Sequence, residues 1–394
     1  VAAGTQYAFS FTITNPSSAQ GAASAVIAAS GTASFAQAAM VAPGSALLGV
    51  ANGADPLLVV VPEFDVRKIG QSNPLAGGSN TITVTIQSNV NLAQATDSSV
   101  VTISGLTNAP DAASLGLTSV ESSGADLFSD GSNQGKGALS SGTLTLTVHT
   151  GQTVAAGTQY AFSFTITNPS SAQNDAMVTI AASGTAAFPT SRGVMTTDTA
   201  NVYGVTNGGK PMKVIEQSFS TKAIGQSTPL AGADVTITVT LTANSNFPAG
   251  SIVTITGLTG TQTEDTTLTV TSTDGSTSGL LGTSGVWTKS DGKLVLTAAG
   301  AGTAYNAPCT VTFVLKQAAA EYTPPTVSVA ASIKDGSSTV LGSIAQVAMD
   351  APDAGTGIGA IVDTGTAIGA NPLVVVLPEF DVRKIGQSNP LAGG

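Results

Sequence analysis

The chain has 394 residues, enough for two or more domains with cores of their own, yet only 9% of them are charged, against about 25% in an average protein. Thirteen Lys and Arg against 23 Asp and Glu give a net charge of −10 with no basic patch to release phosphate counterions, which excludes nucleic acid as a partner. A single cysteine, Cys309, excludes an intrachain disulfide, and a single histidine, His149, excludes self-contained Ser-His-Asp, Cys-His and His-rich metal sites.

No apolar run reaches the length of a membrane span, and no basic-then-apolar leader opens the chain. It begins at Val1, as a mature product or an excerpt of a longer chain would. Asn15 and Asn168 are each followed by the proline that forbids N-glycosylation. Any glycans are therefore expected to be O-linked, for instance around Thr323-Pro324-Pro325-Thr326.

The dominant signal is repetition. Residues 64–78, FDVRKIGQSNPLAGG, return unchanged at 380–394, and a looser copy, FSTKAIGQSTPLAG, occupies 219–232. The spacings, 155 residues from 64 to 219 and 161 from 219 to 380, pace the chain in units of one length. Residues 1–20 are identical to 154–173, so the chain opens in the back half of a unit. The domains expected are thus 1–63, the end of a β-sandwich repeat; 64–218 and 219–379, two complete repeats; and 380–394, the opening strand of another.

In chain order, Ile82, Val84 and Ile86 alternate with Thr81, Thr83 and Thr85, the period-2 pattern of a strand with one buried face. Val101 and Ile103 continue it, then Leu144, Leu146 and Val148, then Tyr160, Phe162, Phe164 and Ile166, then Val178 and Ile180. The second unit repeats the scheme with Val235, Ile237, Val239 and Leu241, and ends on Val311 and Phe313. Laying AGTAY (301–305) on AGTQY (156–160) sets Cys309 opposite Phe164, a buried and inert thiol. The Ala-rich stretches 22–39 and 343–361 carry Gly, Pro and β-branched residues and are read as loops or irregular strands, with a short helix at 343–349 as the alternative. The fold class predicted is all-β: tandem antiparallel, Ig-like β-sandwiches of about 155–160 residues arranged as a rod.

Two apolar runs, 57–61 and 373–377, do not alternate, which fits strands buried on both faces or a contact between units. The joint is accordingly placed at Leu57, Val59, Val61, Phe64, Val66 and Ile69, and again at Leu373, Val375, Leu377, Phe380, Val382 and Ile385. Pro62 and Pro74 would stiffen it and hold the angle between successive sandwiches nearly constant. Alternation sets Phe64 and Val66 on one face, with Asp65 and Arg67 on the other.

IGQSTPLAG (224–232), TITVT (236–240) and VTITGLTG (253–260) resemble the tandem immunoglobulin-like and related β-sandwich repeats of extracellular surface proteins, and more narrowly repeats in very long surface proteins of algae and other protists. The resemblance implies a fibrous or adhesive role at the cell surface. The Cys…Trp…Cys core of antibody domains is missing, since only Cys309 and Trp287 exist.

Residues that could carry chemistry have plainer readings. His149 lies on the face of Thr143, Thr145 and Thr147, as an exposed strand residue would. Asp130-Gly131-Ser132-Asn133 and Asp274-Gly275-Ser276 lack the carboxylate series of a calcium loop and read as hairpin turns, although Glu264 and Asp265 could bridge calcium weakly. Glu63, Asp65, Arg67 and Lys68, repeated as Glu379, Asp381, Arg383 and Lys384, read as a salt-bridged wet face in preference to an internal Lys-Asn isopeptide bond.

No enzyme, cofactor or metal is expected. The partners predicted are copies of the chain itself in a filament, or adjoining repeats of a longer polypeptide. The latter is favoured, because joining 380–394 to 1–63 leaves out the TITVT to LTLTV strands. The alternative is an adhesin binding glycan or protein through loops bearing Phe128, Tyr203 and Trp287.

Overall fold

A computed structural model describes residues 1–94, 99–184, 188, 193–323, 326–336, 339–352, 362–363, 366–367, 369–378, 380, 382–390 and 392. Pro324, Pro325, residues 353–361, Glu379 and Asp381 lie outside the described residues. Among the described residues every regular element is a strand. No helix among the described residues is long and apolar enough to cross a membrane.

The first sandwich sets a five-stranded sheet against a six-stranded one. One sheet runs Thr196–Thr197, Phe64–Gln71, Ser79–Ser88, Gln159–Thr167, Thr118–Glu121. The other runs Thr179–Ser183, Val100–Ser104, Thr143–Val148, Lys136–Ser140, Ala112–Gly116, with Phe128–Ser129 also on Thr143–Val148. The alternation read from sequence becomes the core: Ile82, Val84, Ile86, Val101, Ile103, Leu144, Leu146, Val148, Phe162 and Phe164 are all buried between the sheets. Each such side chain contributes about 1.5–3 kcal/mol relative to exposure.

The second sandwich repeats this connectivity. Its four-stranded sheet orders Phe219–Gln226, Asp234–Ala243, Cys309–Lys316 and Thr271–Thr273. Its six-stranded sheet orders Thr266–Thr269, Ser284–Thr288, Lys293–Thr297, Ile252–Thr256, Ser328–Lys334 and Val340–Ala348. The last strand replaces the short helix offered for 343–349; Val340, Ile344 and Val347 are β-branched and pair along Ser328–Lys334.

Register corrects the position given to Cys309. Leu241 pairs with Cys309, as Ile86 pairs with Tyr160, so Cys309 holds the place of Tyr160, and Phe313 that of Phe164. The AGT-Y match misleads because the two segments leading into this strand differ in length. The thiol is buried, as expected, and loss of solvation pushes its pKa up to about 11.

The opening strand also departs from simple alternation. A bulge between Phe64 and Val66 leaves Phe64 opposite Ser88 and moves Val66 opposite Gln87, on the outer face. Phe64 and Ile69 are buried in the first core, while Lys68 is exposed and so is unlike the buried lysine of an isopeptide bond. Arg67 donates from Nε to the Val194 carbonyl at 2.9 Å and from Nη1 to the Phe64 carbonyl at 2.7 Å.

Identical sequence does not give identical structure. Residues 159–167 form a central strand, whereas the same residues at 6–14 form none, and Phe11 is 78% exposed where its twin Phe164 is 2% exposed. The difference is the partner: Ser79–Ser88 pairs with all nine residues of the second copy. Likewise Phe380, Val382 and Ile385 are exposed where Phe64 and Ile69 are buried. Within residues 1–63 only the hairpin Val26–Ala29 and Phe35–Ala39 forms, with Phe35 exposed.

Candidate assembly interface between successive sandwiches

The apolar runs are not strands buried on both faces. Leu57, Met212 and Leu373 occupy one position in three copies and all adopt a left-handed backbone, at φ 60°, 64° and 59°. Each is followed by a short antiparallel bridge: Val59 with Gln20, Val214 with Gln173, Val375 with Tyr322. Leu57 is exposed and Val59 and Val61 half-buried, whereas Leu373 and Val375 are buried and Leu377 is exposed.

What holds this turn is the glutamine of the IGQS motif. Gln71 donates from Nε2 to the carbonyls of Gly208 and Lys213 at 2.9 and 2.7 Å, and its Oε1 accepts from Met212 N at 2.8 Å and Asn80 Nδ2 at 3.0 Å. Gln226 does the same one unit on, with Gly369 O and Val374 O at 3.0 and 2.9 Å, Leu373 N at 2.7 Å and Gln317 Nε2 at 2.9 Å. The opening strand of each sandwich is thereby stapled to its own exit turn. Gln387, the third copy, is exposed.

Two asparagines then fix the chain as it enters each sandwich. Asn89 accepts from Glu63 N at 2.9 Å through Oδ1 and donates from Nδ2 to Val61 O at 2.9 Å, while its own N–H reaches Glu63 O at 3.1 Å. Asn244 makes the same three bonds to Ser218 N, Glu216 O and Ser218 O, at 2.9, 2.8 and 3.1 Å. Two residues further on, Asn91 N donates to Leu48 O at 2.8 Å and its Oδ1 accepts from Ala156 N at 2.8 Å. Asn246 repeats this with Tyr203 O at 2.9 Å and Tyr305 N at 2.6 Å. The loops so gripped match in conformation, with Leu48 and Tyr203 at φ 53° and 49° and Asn52 and Asn207 at 56° and 54°.

Apolar pegs complete the contact. Val205 and Leu75, both from the first sandwich, are buried in the core of the second, with Tyr203 packed against it. Val50 takes the place of Val205 against the core of the first. Burial, with the nearby Asp335 carboxylate second, holds the Tyr203 phenol above its usual pKa. Leu75 sits on the strand Val340–Ala348, where Gly342 leaves room, a β-carbon there falling 3.1 Å from Leu75 Cβ.

None of Leu75, Asn89, Asn91, Tyr203, Val205, Asn244, Asn246 or Leu341 was nominated for the joint from sequence; the recurrence of SNVNL (88–92) as NSNF (244–247) was the available signal. Of the aromatics nominated for ligand binding, Phe128 and Trp287 are interior, the indole N–H donating to Thr263 O at 3.1 Å, and Tyr203 serves the joint. Asp130 and Asp274 close their own turns by accepting from Ser132 and Asn133, and from Ser276 and Thr277. These bonds hold both carboxyls below the usual range. Glu264 and Asp265 are both engaged by Lys289, through its ammonium and its backbone N–H. Among the described residues no three His, Cys, Asp or Glu gather as a metal site would need, and His149 is half-exposed.

No protein-family model matches the sequence, and comparison with curated proteins finds no relative. Among solved structures the chain is similar to the C-terminal domain of the Streptococcus agalactiae AgI/II polypeptide BspA, at 12% identity and TM-score 0.36, over 72% of this chain and 98% of that one. It is also similar to a partial N-terminal region of enterococcal surface protein, at 8% identity and TM-score 0.20, over 74% of this chain and 97% of that one. A third is the serine-rich repeat adhesion glycoprotein Srr1 from Streptococcus agalactiae, at 9% identity and TM-score 0.20, over 72% and 95%. At such values, what the chain can do has to come from its own geometry.

Proposed function

We propose that this chain is a structural segment of an extracellular surface fibre, a stack of β-sandwiches at a fixed angle with no enzymatic task. In this reading the units run 64–218 and 219–379, with 1–63 closing a preceding unit and 380–394 opening a following one. The finer resemblance, to long surface proteins of algae and other protists, belongs to the same proposal, as do O-linked glycans on the Ser/Thr-rich exterior.

The supporting observation is that the same joint occurs twice. The bonds made by Asn89 and Asn91 to one exit segment are made by Asn244 and Asn246 to the next, and each pair of equivalent bonds agrees within about 0.2 Å. A linker held by three hydrogen bonds to one asparagine cannot swivel freely, so its repetition restrains successive sandwiches alike and gives a regular stack. Leu57, Val59, Val61, Leu373, Val375 and Leu377 occupy equivalent exit segments in this scheme, and Phe64, Val66, Ile69, Phe380, Val382 and Ile385 the equivalent opening strands. Electron microscopy of the native material tests it. Filaments with an evenly repeated subunit are expected; monodisperse globular particles of 38.6 kDa would overturn it.

A further inference from the structure

The turn that carries Leu75 exists twice in the described chain, once with a sandwich after it. Residues 73–78 and 228–233 have the same fold: Gly77 and Gly232 at φ 71° and 68°, Gly78 N on Leu75 O and Ala233 N on Leu230 O at 3.4 and 3.3 Å, and Asn168 N on Gly78 O and Gln317 N on Ala233 O, both at 2.9 Å. Each also bridges its exit segment in parallel, Leu75 with Ile215 and Leu230 with Val376. Leu75 is wholly buried by the second sandwich, and Leu230, on the last sandwich described, is 43% exposed.

The covered copy is met by the closing strand Val340–Ala348 of the following sandwich. Asn73 Nδ2 donates to Leu341 O at 2.8 Å. Gly78 lies against that carbonyl so closely that a β-carbon would overlap the Leu341 oxygen and come within 2.5 Å of Asn73 Nδ2. In the other turn the corresponding residues are Thr228 and Ala233. Thr228 has no amide to donate, and Ala233 carries the β-carbon that the contact forbids.

We propose that Asn73 and Gly78 form a docking site that selects the long closing strand of a following unit, and that Thr228 and Ala233 refuse it, so that joints built on the same asparagine-held linker alternately carry and lack this second contact along the array. The inference rests on the tandem-fibre reading and specifies its order: an Asn-Pro-Leu-Ala-Gly-Gly unit is followed by one with a strand like Val340–Ala348, and a Thr-Pro-Leu-Ala-Gly-Ala unit by one without it. The repeats agree with a two-unit period. The 15 residues 64–78 recur unchanged after 316 residues, at 380–394, but only loosely after 155, at 219–232.

Gly78→Ala in the full chain is the test. Gly78 is outside the left-handed backbone region, but within the first sandwich the new β-carbon meets the Asn73 amide, 2.5 Å from Nδ2, so the double variant Asn73→Thr, Gly78→Ala, which copies the Thr228 and Ala233 of a folded turn, is measured beside it. Spin labels on Ser132→Cys and Thr277→Cys, both on exposed turns with Cys309 buried, report the distance between sandwiches. One narrow distance peak is expected for the parent, a peak at least twofold broader for Gly78→Ala with both sandwiches still folded by calorimetry, and no change for Ala233→Gly. A Gly78→Ala peak as narrow as the parent's overturns the docking site and leaves the fibre reading standing. Unfolding of the first sandwich by the double variant also overturns it, since Asn73 and Gly78 would then serve their own unit. A broad peak in the parent contradicts the rigid joint itself.

Discussion

Replacing Gln226 with Met keeps the length of the side chain and removes its hydrogen bonds. Leu373 N–H, Gly369 C=O and Val374 C=O then lose their side-chain partner in a place where Gln226 is 9% exposed, and the Gln317 amide loses one of its acceptors. Each unsatisfied buried group costs about 1–3 kcal/mol, and partial relaxation brings the sum to roughly 3–6 kcal/mol, a large part of the roughly 5–15 kcal/mol that holds a domain together. Trp287, the sole tryptophan and fully buried in the second sandwich, reports that unit's unfolding in guanidinium. The expected result is a lowered midpoint for Gln226→Met and none for Gln387→Met, whose side chain is exposed. A loss below about 1 kcal/mol for Gln226→Met would refute the idea that the glutamine staples the exit turn.

Further outcomes follow from paired residues in the same chain. Phe164→Ala should cost the first sandwich about 3–5 kcal/mol by calorimetry, while Phe11→Ala, in the identical but exposed stretch, should cost nothing measurable. Asn244→Ala should remove two side-chain bonds to the linker, about 1–3 kcal/mol in all, and widen the angular spread in small-angle scattering without lowering the melting of either core. Cys309 should resist alkylation until the second sandwich unfolds. Its folded pKa is raised from 9.0 to about 11, so the native state keeps a proton that the unfolded chain loses. That contribution to stability is complete below about pH 9 and fades as pH rises towards 11, as guanidinium midpoints across this range would record.

The strands were legible because alternation is local: Ile82, Val84 and Ile86 declare a buried face within one stretch, whatever they pair with. Register was not, since Cys309 could be aligned only by its pairing to Leu241, and the bulge at Phe64 reversed a face assignment that alternation alone had made. Repetition placed the expected joint at residues 57–69 and 373–385, but the groups that hold the linker are asparagine and glutamine amides bonded to backbone carbonyls, and a carbonyl has no residue type to read. Leu75 shows the limit most clearly: its partner strand lies 268 residues from Asn73, and its twin Leu230, in the same local sequence, is exposed.

That the repeated asparagine-held linker makes a rigid stack is tested most directly by small-angle X-ray scattering from the whole chain in dilute solution. Repetition of the asparagine-held linker calls for a profile fitted by one arrangement of the two sandwiches, unchanged as temperature rises until the cores melt. A profile that needs many interdomain angles below the melting temperature would contradict it.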